Sequence, residues 1–249
     1  MRFFRCILVI EILFLMFVGL AWFPISTHAT SYPLQAKYPK TMIYKAHTKQ
    51  KVIALSFDDG PDQRFTPLIL NILDKYDVKA TFFLLGTRVQ TYPDVARRIY
   101  NEGHVIGNHT YWHPQLTKTG VKNMIWEIEK NEKEILSITN VKTNLFRAPY
   151  GALNEQLVKQ LEEMGYRGAG WSVDSEDWKS LSAVKIKQNI LNNIHPGAII
   201  LMHSAGHWTQ DLTGTVLALN DLIPFLKEEG YTFVTIPELW SIEHGNTNK

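Results

Sequence analysis

The stretch Lys51–Pro61, KVIALSFDDGP, decides how the rest of this chain is read. Val52 to Phe57 is a short apolar run bounded by Lys51 and an Asp-Asp-Gly-Pro cluster, the pattern of a buried strand that ends in a turn. Two adjacent carboxylates, Asp58 and Asp59, then stand where a parallel strand would stop. Parallel α/β sheets and barrels keep their chemistry at the carboxyl ends of strands. Taken alone, the cluster reads first as a plain Asp-Gly turn. It gains meaning only from what accompanies it.

Outward from that stretch, the chain alternates. Strand-like apolar runs recur at Ala80–Leu85, Val105–Gly107, Leu145–Arg147, Gly168–Val173, Ile199–Met202 and Tyr231–Val234. Helical patterns lie between them, near Phe65–Lys75, Pro93–Glu102, Val121–Leu136, Asn154–Met164, Ala183–Ile194 and Thr213–Glu229. Pro93 suits a first helical position. Gly103, Gly165 and Gly230 sit where a glycine would end a helix. Repeated strand–helix units imply parallel strands joined by crossover helices, hence a (β/α) barrel or a doubly wound sheet.

Composition narrows the class. The 249 residues are 45% hydrophobic and 20% charged, enough for one large core, and a formal net charge of +2 gives no reason to expect nucleic acid. The single cysteine, Cys6, rules out a disulfide framework. It lies in an apolar run from Cys6 to Phe23, broken only by Glu11, behind Arg2 and Arg5. Pro24 to Ala29 then carries small and polar residues. The reading is a secretory signal peptide over residues 1–29, with an uncleaved membrane anchor through residues 6–23 as the alternative. Residues 30–50 read as a linker or edge segment, and 51–245 as the single folded domain. An exported, extracellular or cell-envelope protein follows, touching membrane only through its N-terminal segment if that is retained, with no obligate protein partner evident.

A second informative stretch is Gly107–Pro114, GNHTYWHP. A spacing of four places His109 and His113 on one face if the backbone there is helical. Two imidazoles one turn apart suit a zinc site, although two ordinary histidines before a proline are the plainer reading. Because His109 follows a strand-like run, it falls on the same rim as Asp58 and Asp59. One carboxylate and two histidines with a position left open is a recurrent catalytic metal arrangement. Asn108-His109-Thr110 also matches a glycosylation sequon, discounted because the metal site claims the same residues.

Ser56-Phe57-Asp58-Asp59-Gly60 together with His109-Thr110-Tyr111-Trp112-His113 resembles the first two motifs of the polysaccharide deacetylases, carbohydrate esterase family four, with its NodB-type homology domain. Arg147-Ala148-Pro149-Tyr150-Gly151, Asp174-Ser175-Glu176-Asp177-Trp178 and Leu201-Met202-His203 resemble the third, fourth and fifth, in the family's order. The departure noted is Ser56, where threonine is more usual. The resemblance implies a distorted (β/α) barrel of about seven parallel strands.

It also implies roles. Asp59, His109 and His113 would hold a divalent metal, zinc first, with cobalt, manganese or nickel as alternatives that the same donors accept. Asp58 would be the general base, or else act from behind the metal ligands. The backbone N–H of Tyr150 would meet the oxyanion, and His203 would be the general acid, with Asp174 accepting its hydrogen bond. Arg147 would pair with carboxylates near the base. Trp178, Tyr150 and Leu201 would wall a small acetyl pocket, worth about 1–3 kcal/mol of discrimination. Trp112, Trp171 and Trp208 could stack on sugar faces or simply pack, and His104 and His207 are not assigned as ligands. The implied activity is that of an exported N-deacetylase acting on N-acetylated cell-wall or extracellular glycans, peptidoglycan N-acetylglucosamine first. N-acetylmuramic acid, chitin oligomers, poly-N-acetylglucosamine and an ester cut in acetylated xylan stay open, as does a non-catalytic glycan-binding protein of the same fold.

Overall fold

The computed structural model describes residues 32–243, so the expected signal peptide or anchor lies outside the described residues. No helix among those described is long and apolar enough to cross a membrane. The strands are β1 (Met42–Ile43), β2 (Val52–Asp58), β3 (Thr81–Leu84), β4 (Val105–Asn108), β5 (Leu145–Phe146), β6 (Arg167–Ala169), β7 (Val173–Asp174), β8 (Ala198–His203) and β9 (Thr232–Phe233). The helices are α1 (Pro33–Lys37), α2 (Thr66–Lys75), α3 (Gly86–Thr91), α4 (Pro93–Asn101), α5 (Leu116–Thr119), α6 (Val121–Thr139), α7 (Glu155–Glu163), α8 (Ala183–Leu191), α9 (Thr213–Glu228) and α10 (Ile236–Glu243).

The sheet runs β1-β6-β5-β4-β3-β2-β8-β7, with β9 also on β2, and every strand pair is parallel. Strands β6 and β7 belong near opposite ends of this order, yet residues 170–172 alone separate them. A linker that short spans at most about 14 Å, so the sheet must curl until its ends nearly meet. Hydrogen bonds mark the approach: Gly170 N donates to Ile43 O on one side and Ser172 N to Ile199 O on the other. The fold is the expected distorted α/β barrel, a curled half-barrel of parallel strands. Nine strands are described rather than about seven, because the apolar run 168–173 is cut in two and because β1, within the expected linker or edge segment, joins the sheet beside β6.

Both faces of the sheet are buried, which is why the strands read as continuous apolar runs. The period of two still sorts their side chains. On β2, Ile53, Leu55 and Phe57 enter a core with Leu70 and Leu73 of α2 and Leu219 and Leu222 of α9. The alternate residues Val52 and Ala54 face the concave side with Phe83, Ile199, Leu239 and Trp240. Continuing that alternation puts Ser56 and Asp58 on the concave side, and on β8 it puts Leu201 and His203 there beside Ile199. Each fully buried Leu, Ile or Phe contributes roughly 1.5–3 kcal/mol of burial. This two-sided core therefore fixes the register that pairs Asp58 with His203. Gly103, Gly165 and Gly230 follow the ends of α4, α7 and α9, each at positive φ.

Candidate active site

At the carboxyl end of β2 the backbone turns sharply, with Asp59 at φ 68°. This separates the two neighbouring carboxylates. Asp58 stays in the sheet and is buried, whereas Asp59 leans across the rim toward the loop after β4. Asp59 Oδ1 lies 3.5 Å from His109 Nε2 and 3.3 Å from His113 Nε2, and the two rings are 5.0 Å apart between centroids. One donor atom from each of the three residues falls within 4.8 Å of the others.

The residues that bring the histidines there are not helical. Thr110 and His113 both have positive φ (72° and 66°), so a coiled loop, not the expected helical turn, gathers the two rings. Its stiffness comes from α6. Glu127 Oε2 accepts the backbone N–H groups of Tyr111 and Trp112, each at 2.8 Å, and burial pushes the Glu127 carboxyl above its ordinary pKa despite those two bonds. Asn131 Nδ2 donates to Asn108 Oδ1 at 3.0 Å, and Asn108 Nδ2 to Ile128 O at 2.9 Å. Asn108 is therefore fully buried and committed, which removes the sequon as a glycosylation site. His109 Nδ1 sits 2.8 Å from Arg147 O, so an N–H there leaves the Nε2 lone pair facing Asp59.

Asp59 Oδ1 is buried and makes no hydrogen bond. A buried carboxylate oxygen without a partner is costly, and two imidazole nitrogens converge on it. The donor set, one carboxylate and two imidazoles, suits a borderline divalent cation. These residues therefore fit a metal ion. Burial alone would raise the Asp59 pKa, but the His109, His113 and His203 rings beside it outweigh burial and hold the carboxyl far below its usual range. His109 is raised, the Asp58 and Asp59 charges overcoming burial, while His113, desolvated and next to His109, is lowered to about 4.

Arg147, directly after β5, is 1% exposed. Its Nη1 donates to Asp58 Oδ1 at 2.7 Å and to Ser56 Oγ at 2.9 Å, its Nε to Ala169 O and its Nη2 to Gly170 O, both at 3.0 Å. Ser56 Oγ in turn donates to Ile200 O at 2.7 Å. The guanidinium thus meets a carboxylate, a hydroxyl and two carbonyls, with the Phe83 ring 4.1 Å from it. A buried cation is tolerated when paired and fully hydrogen-bonded in this way. One Asp58 oxygen is fixed by the arginine. The other, Oδ2, faces the metal-site rim 3.7 Å from His109 Nε2.

On the neighbouring strand, His203 ends β8, in register with Asp58. Its hydrogen-bond partner is not Asp174 but Asp177, at 2.7 Å from Nδ1. Asp177 is fully buried, and its other oxygen accepts the His203 backbone N–H and the Thr215 hydroxyl, each at 2.9 Å. Asp174 instead accepts the Glu176 N–H at 2.8 Å, and burial raises its pKa. The left-handed Glu176 (φ 56°) and the 3-10 turn over Asp177–Lys179 swing the later acid inward. For His203, burial favours the neutral ring, but the Asp177 charge and hydrogen bond, with Asp59 and Asp58 behind, push its pKa up to about 9.

These groups share one cavity of about 680 Å³. Tyr150, Trp178 and Leu201 line it with Asp58, Asp59, His109, His113, Asp174 and His203. Arg147 lies behind the wall, touching the cavity through Asp58. Tyr150 has left-handed backbone (φ 60°, ψ 11°), and its ring stands edge-on to His113 at 4.6 Å. Sequence reasoning did not single out Asp177 as the His203 partner, nor Glu127, Arg88 and Gln210. Arg88 and Gln210 line the cavity and belong to no motif, and only Asp177 had a sequence signal, its place in the fourth motif.

A family model for polysaccharide deacetylase matches residues 45–169, half of the chain. The chain belongs to the polysaccharide deacetylase family. A peptidoglycan-N-acetylglucosamine deacetylase of Bacillus cereus is 45% identical over 190 residues, covering 76% of this chain and 68% of that protein. A peptidoglycan-N-acetylmuramic acid deacetylase of Bacillus subtilis is 36% identical, covering 79% of this chain and 74% of that protein. Among solved structures, a peptidoglycan N-acetylglucosamine deacetylase in complex with 4-naphthalen-1-yl-N-oxidanyl-benzamide superposes with a TM-score of 0.79 at 41% identity, over 82% of this chain and 95% of that one. The resemblance drawn from the five motifs thus extends to this polysaccharide deacetylase fold as a whole.

Proposed function

We propose that this polysaccharide deacetylase is an exported, metal-dependent N-deacetylase that hydrolyses the acetamide of peptidoglycan N-acetylglucosamine, releasing acetate and leaving a free amino sugar. The observation that carries the reading is the buried Asp59 Oδ1, without a hydrogen bond and approached by two imidazoles, flanked in one cavity by a carboxylate and a raised-pKa histidine. Asp59, His109 and His113 would hold the ion, with zinc as the first choice. When bound, a divalent cation supplies Lewis acidity, polarising the acyl carbonyl and making water more acidic.

The chain's own residues divide the remaining work. Asp58, oriented by Arg147, takes a proton from water as the water oxygen attacks the carbonyl carbon. The negative charge that develops on the carbonyl oxygen is met by the backbone N–H of Tyr150. His203 is held as imidazolium by Asp177 at neutral pH, and it gives its proton to the amine nitrogen as the C–N bond breaks. Trp178, Tyr150 and Leu201 surround the acetyl methyl. Base and acid stand on neighbouring strands, Asp58 on β2 in register with His203 on β8, and one proton is taken and one delivered per turnover.

The relatives that act on N-acetylglucosamine and on N-acetylmuramic acid support a peptidoglycan substrate, and the higher identity falls on the former. An apolar N-terminal run behind two arginines supports export to the envelope where that polymer lies. Acetate release from N-acetylglucosamine oligomers and from purified wall polymer, with and without a chelator, tests the reading. Chelator-sensitive release is expected, with mass spectrometry locating the free amine on glucosamine. Release that ignores chelation would overturn the metal mechanism. Stoichiometric metal without release from any glycan would favour a silent binding protein.

A further inference from the structure

Trp208 is the most exposed large hydrophobic residue among those described, at 78%. It sits on the segment between β8 and α9, whose residues Gly206, His207 and Gln210 line the cavity while Trp208 stands just beyond it. An isolated exposed indole would need no explanation. This one is carried on a segment that is pinned in an unusual way.

Two arginines from other elements hold its backbone. Arg64 donates through Nη1 to Trp208 O at 3.1 Å and Gln210 O at 3.5 Å, and through Nη2 to His207 O at 3.5 Å. Asp62, itself buried, orients that guanidinium at 3.3 Å. Arg88, on α3, donates to Gly206 O at 2.5 Å. Four carbonyls of a surface segment are thereby fixed from below. Gln210 Nε2 reaches across to Trp178 O at 2.8 Å, tying the segment to the turn that bears a cavity-wall tryptophan. The His207 ring lies 5.5 Å from the indole, inclined at 45°, and braces it.

We propose that Trp208 is a stacking platform for a second pyranose ring of the glycan, next to the sugar whose acetamide enters the cavity. The inference rests on the deacetylase reading for the identity of that glycan. Pyranose rings present flat C–H faces, and an indole offers a broad apolar face with little conformational freedom to lose. The anchoring by Arg64 and Arg88 supplies the preorganisation that a contact made outside the cavity needs. Its position beside Gly206 and His207, rather than within the cavity, suits a neighbouring sugar and not the reacting one. The enzyme would then favour oligomers over short substrates.

The test is steady-state kinetics on N-acetylglucosamine monomer and tetramer with W208A and W208F. W208A is expected to raise KM for the tetramer roughly tenfold with kcat within about twofold, and to leave the monomer, which has no second ring, within about twofold. W208F should recover most of the loss. A tetramer KM within about twofold of the unsubstituted enzyme in W208A would overturn the proposal, as would an effect confined to peptide-bearing wall fragments. An independent readout is the Trp208 indole N–H resonance in D58N protein titrated with tetramer, which should shift on binding. If no glycan releases acetate, the deacetylase reading fails on its own, and an unshifted indole resonance would still separately refute the subsite.

Discussion

Replacing Asp177 by asparagine keeps the shape of the buried pocket around His203 and removes its charge. In the native arrangement one oxygen faces His203 Nδ1 at 2.7 Å and the other accepts two more donors. An amide has one accepting oxygen. If that oxygen serves the backbone N–H and Thr215, the amide nitrogen faces Nδ1 and demands the neutral tautomer. The native pKa of about 9, against 6.5 for an unperturbed ring, corresponds to roughly 3 kcal/mol of preference for imidazolium. Asp177 is the first of the favourable contributors, and burial opposes them. Without its charge the ring should titrate near or below about 6.5. The sign follows: the acid works only when protonated, so activity is lost as pH rises through the ring's pKa. At pH 7.5 nearly all native His203 is charged, against about a tenth in D177N, so kcat/KM should fall about tenfold or more there. The deficit should narrow below about pH 6.5. The assay is a pH profile of acetate release for both proteins at saturating metal. A bound cation would lower both alkaline limbs alike, so the separation between them is the quantity to read. An alkaline limb that D177N leaves in place would refute the coupling of His203 to Asp177.

Other expectations are as direct. D58N should keep the metal, measured by elemental analysis of dialysed protein, while turnover falls about 10²–10⁴-fold; near-native rates would remove Asp58 as the base. His109→Ala should lose both metal and activity, and added zinc should not restore them. Arg147→Ala would strand the buried Asp58 carboxylate and two carbonyls, and should cost about 3–5 kcal/mol in denaturant unfolding. Glu127→Ala should cost about 1–3 kcal/mol by freeing the N–H groups of Tyr111 and Trp112, and should weaken metal affinity although Glu127 is not among the grouped ligands.

Much of this fold could be read from residues whose effect is local. Proline at the start of α4 and glycine after α4, α7 and α9 set helix ends to within a residue or two, and the apolar runs of β2, β3 and β8 gave their strands. What escaped depends on distant partners. Helix α3, GTRVQT, has no apolar period, and β1 is two residues long. The triad Asp59, His109 and His113 was legible because residue type and strand-end placement both pointed to it. The route to it was not, since a loop held by Glu127 and Asn131 does what a helical turn was expected to do. Between Asp174 and Asp177 the sequence offers two acids three residues apart. Only the left-handed step at Glu176 decides which one turns inward.

That left-handed step has companions: Asp59, Thr110, His113 and Tyr150 also carry side chains on backbone at positive φ. Each such residue costs roughly 1–2 kcal/mol that glycine, at the same angles, would not. A screen for heat tolerance alone will therefore be drawn to these five positions and reward their simplification to glycine. At three of them the substitution would discard a candidate metal donor or the Tyr150 ring at the cavity wall. Thermal selection of this enzyme, unless coupled to turnover, is thus biased toward sturdy and inert descendants.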